Sequence, residues 1–188
     1  MGKETSLSGG RGFELELFGV SSQNKIPDYL DFFSAMQEVA ETPLLRSNPK
    51  SGRKERYNPI RPNWGKLYQL WFEVEKHLPW RSEGIRSGPL SLYISIGTSL
   101  DFHHGVDCFF WWMGAYLTID ASLALKEKRG RGKEHLKADL LITPDDLTSE
   151  GLVNLGEKIA TLLKRRRYIS RKMSQKSRNS RNRRELCV

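Results

Sequence analysis

Two aspartates lie in the most aromatic stretch of the chain, HHGVDCFFWWMGAYLTIDAS, which spans residues 103–122. Its β-branched and aromatic composition predicts two strands, 106–113 and 115–125. Each strand carries one acid, Asp107 in the first and Asp120 in the second. Paired carboxylates are oxygen ligands for a hard divalent cation, so these two residues are the first candidates for chemistry.

The spacing of the two acids makes the hypothesis geometric. If the strands form a hairpin whose turn is centred between Met113 and Gly114, the numbers of opposed residues sum to 227, and Asp107 lies opposite Asp120. Opposed Cβ atoms are roughly 4.5–5.5 Å apart, and like charges there destabilise a sheet. Mg²⁺ binds a small number of carboxylates together with water and substrate phosphate. The pair therefore predicts a metal site formed by Asp107 and Asp120.

Side-chain alternation places the second acid on the more polar face of its strand. One face carries Tyr116, Thr118, Asp120 and Ser122, and the opposite face is apolar. A structural alternative remains open, in which Asp107 caps a turn after Gly105 and Asp120 bonds a neighbouring backbone or an arginine. A shift of one residue in the hairpin register would separate the acids.

The elements around this hairpin alternate between helix and strand. Hydrophobic periodicity, with Pro and Gly as boundaries, predicts the following order: strand 13–20, helix 25–41, polar connection 47–63, helix 64–80, strands 90–98, 106–113 and 115–125, basic loop 126–137, strand 138–143 and helix 145–167. Such an order predicts a single α/β domain (α+β mixed), with a central mixed sheet flanked by helices. The predicted buried face of the second helix is Leu67, Leu70, Trp71, Val74 and Leu78.

Positive charge is concentrated at the end of the chain. Residues 164–188 contain 11 Lys/Arg and one Glu, whereas the whole chain has a net charge of +9. The sequence thus predicts a flexible lead over 1–12, a folded domain over 13–163 and a disordered basic tail over 164–188. Guanidinium groups suit phosphate, so nucleic acid is the expected partner. The candidate contacts are Arg165, Arg166, Arg167, Arg171 and Lys172 in the tail, with Arg129 and Arg131 in the basic loop.

The hairpin and its surroundings resemble the core of the PD-(D/E)xK nuclease superfamily. The resemblance rests on LDFHHGVDCFFWWMGAYLTIDAS, residues 100–122, and on a preceding helix that bears a glutamate. It implies a restriction-endonuclease-like fold and Mg²⁺- or Mn²⁺-dependent hydrolysis of DNA. Asp107 and Asp120 match the two metal-binding acids, and Glu75 is the candidate for the helix acid because it lies nearer the apolar helix face than Glu73.

The chain departs from the superfamily pattern at the motif lysine. Ser122 stands in that position, and no Asp/Glu-x-Lys triplet occurs in the sequence. Lys126 shares strand parity with Asp120 and is the candidate replacement, with Lys128 a weaker one. The departure leaves open an inactive, binding-only descendant.

Other chemistry-bearing residues have structural interpretations. We expect His103 and His104 to be satisfied by their neighbours at the edge of the core, and most of the aromatic run 109–112 to fill the interior. Two cysteines give neither a disulfide framework nor a zinc site, so a reducing, cytoplasmic location is expected. No apolar run reaches the ~20 residues of a membrane span, which predicts no membrane partner.

Three functional hypotheses therefore stand. The first is a metal-dependent DNA nuclease, for which a homodimer is one expectation. The second is a non-catalytic nucleic-acid-binding protein that uses its basic arm. The third is an interaction protein with an aromatic hairpin interface and an RNA-binding tail, since RNA is the alternative to DNA as the polyanion.

Overall fold

A computed structural model describes ten helices and strands together with the residues near them. The described residues are 13, 17–18, 26–42, 45–47, 54–56, 58–60, 62, 65–79, 89–122 and 138–185. The elements in them are α1 (Phe32–Glu41), β1 (Leu45–Ser47), β2 (Lys54–Arg56), α2 (Gly65–His77), β3 (Ser91–Ile94), α3 (Ser99–His104), β4 (Cys108–Trp112), β5 (Ala115–Ala121), β6 (Leu140–Ile142) and α4 (Ser149–Glu185), with a 3₁₀ turn at Pro144–Leu147 before α4.

A four-stranded mixed sheet forms the centre of the fold. Strands β3, β4 and β5 make an antiparallel meander, and β6 adds to β5 in parallel. This arrangement confirms the predicted mixed α/β class. The β4–β5 turn has positive φ at both Met113 (51°) and Gly114 (82°), as a two-residue turn matched to strand twist requires. Its ladder runs from Trp112↔Ala115 to Cys108↔Ile119, which confirms the predicted register.

One face of the sheet packs against α2 and α4 and forms the main core. Alternate strand residues supply this face, namely Leu92, Ile94, Cys108, Phe110, Trp112, Leu117 and Ile119. The predicted apolar face of α2 is confirmed, because all five of its residues are buried. The sequence of α2 therefore specified both the helix and its orientation toward the core.

The other face of the sheet packs against α1 and α3. Phe109 is buried there with Met36 of α1 and Leu100 of α3, and Tyr93 and Tyr116 lie at the margin of this smaller cluster. Asp31 caps α1 by accepting from the amides of Phe33 and Ser34. With helices on both faces, the sheet is the middle of three layers.

Four local predictions differ from the structure. The predicted strand over 13–20 is wrong at its described residues, because Phe13, Leu17 and Phe18 are helical and buried. Residues 26–31 precede α1 instead of belonging to it. The polar connection 47–63 includes part of a small hairpin, in which β1 pairs with β2. The tail predicted as disordered continues α4 through Glu185, because Lys, Arg and Gln are good helix formers and extend a helix already nucleated by packing.

Helices α2 and α4 approach closely at Gly156. A Cβ atom at this position would lie 2.5 Å from the Cβ of Glu73 and 3.0 Å from its carbonyl carbon. Glycine therefore permits the contact that brings the backbone of α4 against α2.

We expect Gly156→Ala to lower the free energy of unfolding by about 1–3 kcal/mol, because overpacking at this contact outweighs the gain in helix propensity. Urea denaturation monitored by circular dichroism measures the change. The matched control is Asn154→Ala at an exposed position of the same helix, for which we expect a slight gain. An unchanged or higher stability of Gly156→Ala would contradict the close packing.

Candidate functional site

The two acids meet at the end of the β4–β5 ladder. The amide of Asp107 donates to the carbonyl of Ile119 at 2.8 Å, and its own carbonyl accepts from the amide of Ser95 at 2.9 Å. Asp107 Oδ2 accepts from the amide of Ala121 at 2.6 Å. Since that amide belongs to the peptide linking Asp120 to Ala121, the carboxylate of Asp107 lies directly beside the backbone of Asp120.

Asp107 and Asp120 therefore do not form a regular pair of the β4–β5 ladder. The regular ladder ends one pair earlier, at Cys108↔Ile119, and the side chain of Asp107 replaces a backbone acceptor for Ala121. Asp120 itself lies within β5 and is paired with Leu141 of β6. The hairpin thus places the Asp107 carboxylate beside the backbone of Asp120 and Ala121, while the pairing of the two carboxylates stays a prediction.

Both acids are inside the protein, with exposures of 6% for Asp107 and 8% for Asp120. Burial raises the pKa of the neighbouring Cys108 thiol, and the negative charges of Asp107 and Asp120 raise it further. Cys108 is thereby held as a protonated core residue and is not a nucleophile.

At this end of the hairpin the possible metal ligands are the carboxylates of Asp107 and Asp120. Among the described residues no group of three or more His, Cys, Asp or Glu side chains could hold a metal ion. Two carboxylates nevertheless fit Mg²⁺ or Mn²⁺ in chemistry, because such ions complete their coordination with water and substrate phosphate. The binding of Mg²⁺ or Mn²⁺ by these two residues stays a prediction.

Two other catalytic candidates are not tested by this geometry. Lys126 lies outside the described residues, as do Lys128, Arg129 and Arg131. Glu75 is half-buried on α2, and α2 packs mainly against α4. The expectation that Glu73 points away from the apolar side is wrong, because Glu73 lies against Gly156 of α4 and forms a 2.7 Å ion pair with Lys76.

The two histidines support the backbone and lie on a helix, not on a strand. His103 Nε2 is 3.0 Å from the carbonyl of Pro27, and His104 Nε2 is 2.8 Å from the carbonyl of Leu30. These contacts fix the segment before α1 against α3. The structural interpretation of the histidines is thus confirmed.

A second polar cluster, which sequence reasoning missed, lies on the acid-bearing face of the sheet. Asp139 accepts from the amide and the hydroxyl of Thr118 at 2.8 and 2.9 Å. Its carboxylate also accepts two bonds from the Arg166 guanidinium, one of them at 2.8 Å. Arg166 donates further to the carbonyl of Tyr116 at 2.7 Å. Because Asp139 opens the apolar run ADLLIT, its sequence context indicated only a buried strand.

Partial burial acts to raise the pKa of Asp139, but the hydrogen bonds from Arg166 and Thr118 outweigh it and leave the pKa below its ordinary value. Arg166 also lies over the ring of Tyr116, with 5.7 Å between the guanidinium carbon and the ring centroid. This cluster therefore ties α4 to β5 at the sheet face where the acids lie.

The predicted nucleic-acid contacts of the basic tail have different environments. Arg165, Arg171 and Lys172 are exposed. Arg166 is bound to Asp139, whereas Arg167 is only 7% exposed and lies over the ring of Trp112 at 4.8 Å. The first turn of the supposed tail thus belongs to the folded body, and its outer face presents the free charge.

Comparison with known proteins adds no relative. No family model matches the chain, no curated protein matches it and no solved structure matches it. Among the described residues no helix is long and apolar enough to cross a bilayer.

We expect Asp139→Asn to lower the free energy of unfolding at pH 7 by about 1–3 kcal/mol, because it removes charged hydrogen bonds to Arg166 and Thr118. The depressed pKa of Asp139 sets the sign of the pH dependence. Its contribution is fully present above the ordinary value of 3.8 and is lost as pH falls through the lower folded-state pKa.

The difference between wild type and Asp139→Asn should therefore narrow in acid below pH 3.8. Urea denaturation as a function of pH measures it. Asp28→Asn, at an exposed position, is the control for loss of one negative charge. A pH-independent difference would mean that Asp139 acts through packing alone.

Arg167 is a buried charge whose Nε and Nη2 atoms have no hydrogen-bond partner among the described residues. We expect Arg167→Met to raise the free energy of unfolding by about 1–2 kcal/mol, because it removes the cost of burying unsatisfied donors while keeping the stem packed. Thermal and urea denaturation measure this, with Arg165→Met as the exposed control. A marked loss of stability would mean that the contact with Trp112 outweighs the burial cost.

Proposed function

We propose that the protein is a metal-dependent nuclease that hydrolyses phosphodiester bonds of DNA. The observation that carries the proposal is the meeting of Asp107 and Asp120, two buried carboxylates, at the end of one hairpin. A mixed sheet with helices on both faces supports the resemblance to the restriction-endonuclease-like fold. The basic outer face of α4 supports a polyanionic substrate.

In this mechanism each residue has a limited task. Asp107 and Asp120 would hold Mg²⁺ or Mn²⁺, and the bound ion would supply Lewis-acid chemistry at the phosphate and at an attacking water. The amide of Ala121 fixes the orientation of the Asp107 carboxylate, and the ladder around Ile119 fixes the backbone beside it. Lys126 keeps its proposed role in activating water. Glu75 lies on α2, which packs on the sheet face opposite Asp120, so we assign it no role at the metal.

The exposed basic residues of α4 would also hold a substrate by electrostatic attraction. Exposed Arg165, Arg171 and Lys172 lie along α4, where contacts to phosphates position a substrate without reading its sequence. Residues 168–173 of α4 are all exposed, so Arg171 and Lys172 are accessible to a polyanion.

We expect Asp120→Asn and Asp107→Asn to reduce metal-dependent cleavage of plasmid DNA by at least about 100-fold, because each change removes a charged oxygen ligand that the transition state needs. Calorimetric titration of Mg²⁺ and Mn²⁺ should show weakened metal binding in the same variants. Asp145→Asn, at an exposed acid of the 3₁₀ turn, should retain both properties.

Thermal denaturation of each variant shows whether the fold is kept. Cleavage by Asp120→Asn at the wild-type rate, or metal binding that is unchanged in both variants, would contradict the carboxylate site.

The second candidate function is binding of nucleic acid without catalysis. It is favoured because the described residues contain no group of three or more His, Cys, Asp or Glu side chains that could hold a metal ion, and because Ser122 stands in the position of the motif lysine. The same experiment separates the two functions. DNA binding by a wild-type protein that neither binds Mg²⁺ nor cleaves would select this second candidate.

A further inference from the structure

A cleft of about 390 Å³ opens on the face of the sheet that carries Tyr116 and Thr118. Thr118 lines this cleft, and Asp120 is the next residue of β5 on that face. Two residues of a strand span about 7 Å. Asp120 therefore lies about 7 Å along β5 from Thr118 at the cleft, and it is buried below the surface with an exposure of 8%.

The cleft is bounded by aromatic rings on one side. Phe32 and Tyr116 both line it, with ring centroids 6.1 Å apart. Trp111 extends this aromatic surface, because it stacks nearly parallel to Tyr116 at 6.2 Å and is 41% exposed. Aromatic surfaces of this kind bind nucleobases by stacking, regardless of base identity.

The other side of the cleft is polar and carries a guanidinium. Arg166, Asp139, Thr118 and Ser170 line it. An arginine has five N–H donors, and Arg166 uses three of its donor contacts on Asp139 and the carbonyl of Tyr116. The side chain is 38% exposed, so its remaining donors can meet a phosphate.

Asp139 lines the cleft and orients this guanidinium. Both of its oxygens accept bonds from Arg166, and Oδ2 accepts two more from Thr118. A phosphate at Arg166 would therefore meet a charge whose position is already fixed. Fixed donors cost less ordering on binding than mobile ones.

We propose that this cleft binds one nucleotide of a single-stranded segment, with the base stacked on Tyr116 and Phe32 and the phosphate at Arg166. The proposal rests on the nuclease function above and names its substrate as unpaired nucleic acid or an unpaired end. A cleft of this size accepts one small ligand, whereas the bases of a duplex are stacked inside the helix and cannot enter without being extruded. The next phosphate of the strand would then lie toward Asp107 and Asp120.

Binding can be tested apart from catalysis by working in EDTA. The probes are a short 5′-labelled oligothymidylate and a labelled duplex of equal length. Fluorescence anisotropy measures their binding at several salt concentrations. We expect Arg166→Gln to weaken binding of the single strand by about tenfold or more, which corresponds to about one stacking or phosphate interaction. Duplex binding should change far less.

Two further variants exclude trivial explanations. Lys158→Gln removes one positive charge at an exposed position of the same helix and should affect both probes equally and weakly. Ser170→Leu narrows the cleft and leaves the Arg166–Asp139 pair in place, so it should reproduce the selective loss even if Arg166→Gln is unstable. Thermal denaturation checks the fold of each variant.

Two results of the Arg166→Gln measurement count against the proposal: a loss of affinity equal to that of Lys158→Gln, or an equal loss of affinity for single strand and duplex. Either of them, together with unchanged binding by Ser170→Leu, overturns it. This failure is distinct from failure of the nuclease function, because binding is measured in EDTA without the ion that cleavage requires. Cleavage without selective binding would refute the cleft alone. Selective binding without metal-dependent cleavage would refute the nuclease alone.

Discussion

The turn at Met113 and Gly114 determines where every side chain of the central sheet points. Because side chains alternate along a strand, the register set by this turn sends Cys108, Phe110, Leu117 and Ile119 into the main core. The same register leaves Asp120 on the opposite face. A shift of one residue would exchange the two faces, which would bury the acid in the apolar core and expose the residues that stabilise it. The stability of the core therefore enforces the geometry of the candidate site.

The two faces of the sheet are used differently. The face toward α2 and α4 is continuous and apolar, and it accounts for most of the buried side chains. The face toward α1 and α3 has a smaller apolar cluster around Phe109, which leaves room for polar groups. Buried polar groups are tolerated where each has a partner, as Asp107 has in Ala121 and Asp139 has in Thr118 and Arg166. The site thus occupies the part of the sheet where packing demands are lowest.

Helix α4 connects the core to the basic surface. Its first half packs against α2 through Gly156, and its middle turn places Arg166 and Arg167 against the sheet. Beyond that turn the described side chains are exposed. Because α4 is helical, its basic residues have a fixed spacing. Their position relative to the cleft is set by the same helix that packs into the core. In a disordered tail these charges would have no fixed position relative to the cleft.

Hydrophobic periodicity alone determined much of this protein. It predicted α2 and its buried face, the existence of the four strands of the sheet and, with the turn placement, the register of the β4–β5 hairpin, because these features depend on local spacing and turn chemistry. Periodicity failed at Phe13, Leu17 and Phe18, where alternation of apolar and acidic residues resembled a strand but these residues are helical and buried in the main core. It also failed for the tail, whose composition lacks core residues but whose helix is nucleated by packed residues upstream.

Only the tertiary structure decided which polar residues meet. Asp139 and Arg166 are 27 residues apart, and nothing in the spacing of either predicts that they would close on Thr118 and Tyr116. Their meeting depends on how α4 lies across the sheet, which is set by the close contact at Gly156 and by the packing of α2. Contacts within one hairpin follow from the sequence because the chain itself holds the partners together. Contacts between separate elements depend on the packing of the whole core, and they appear only once the fold has formed.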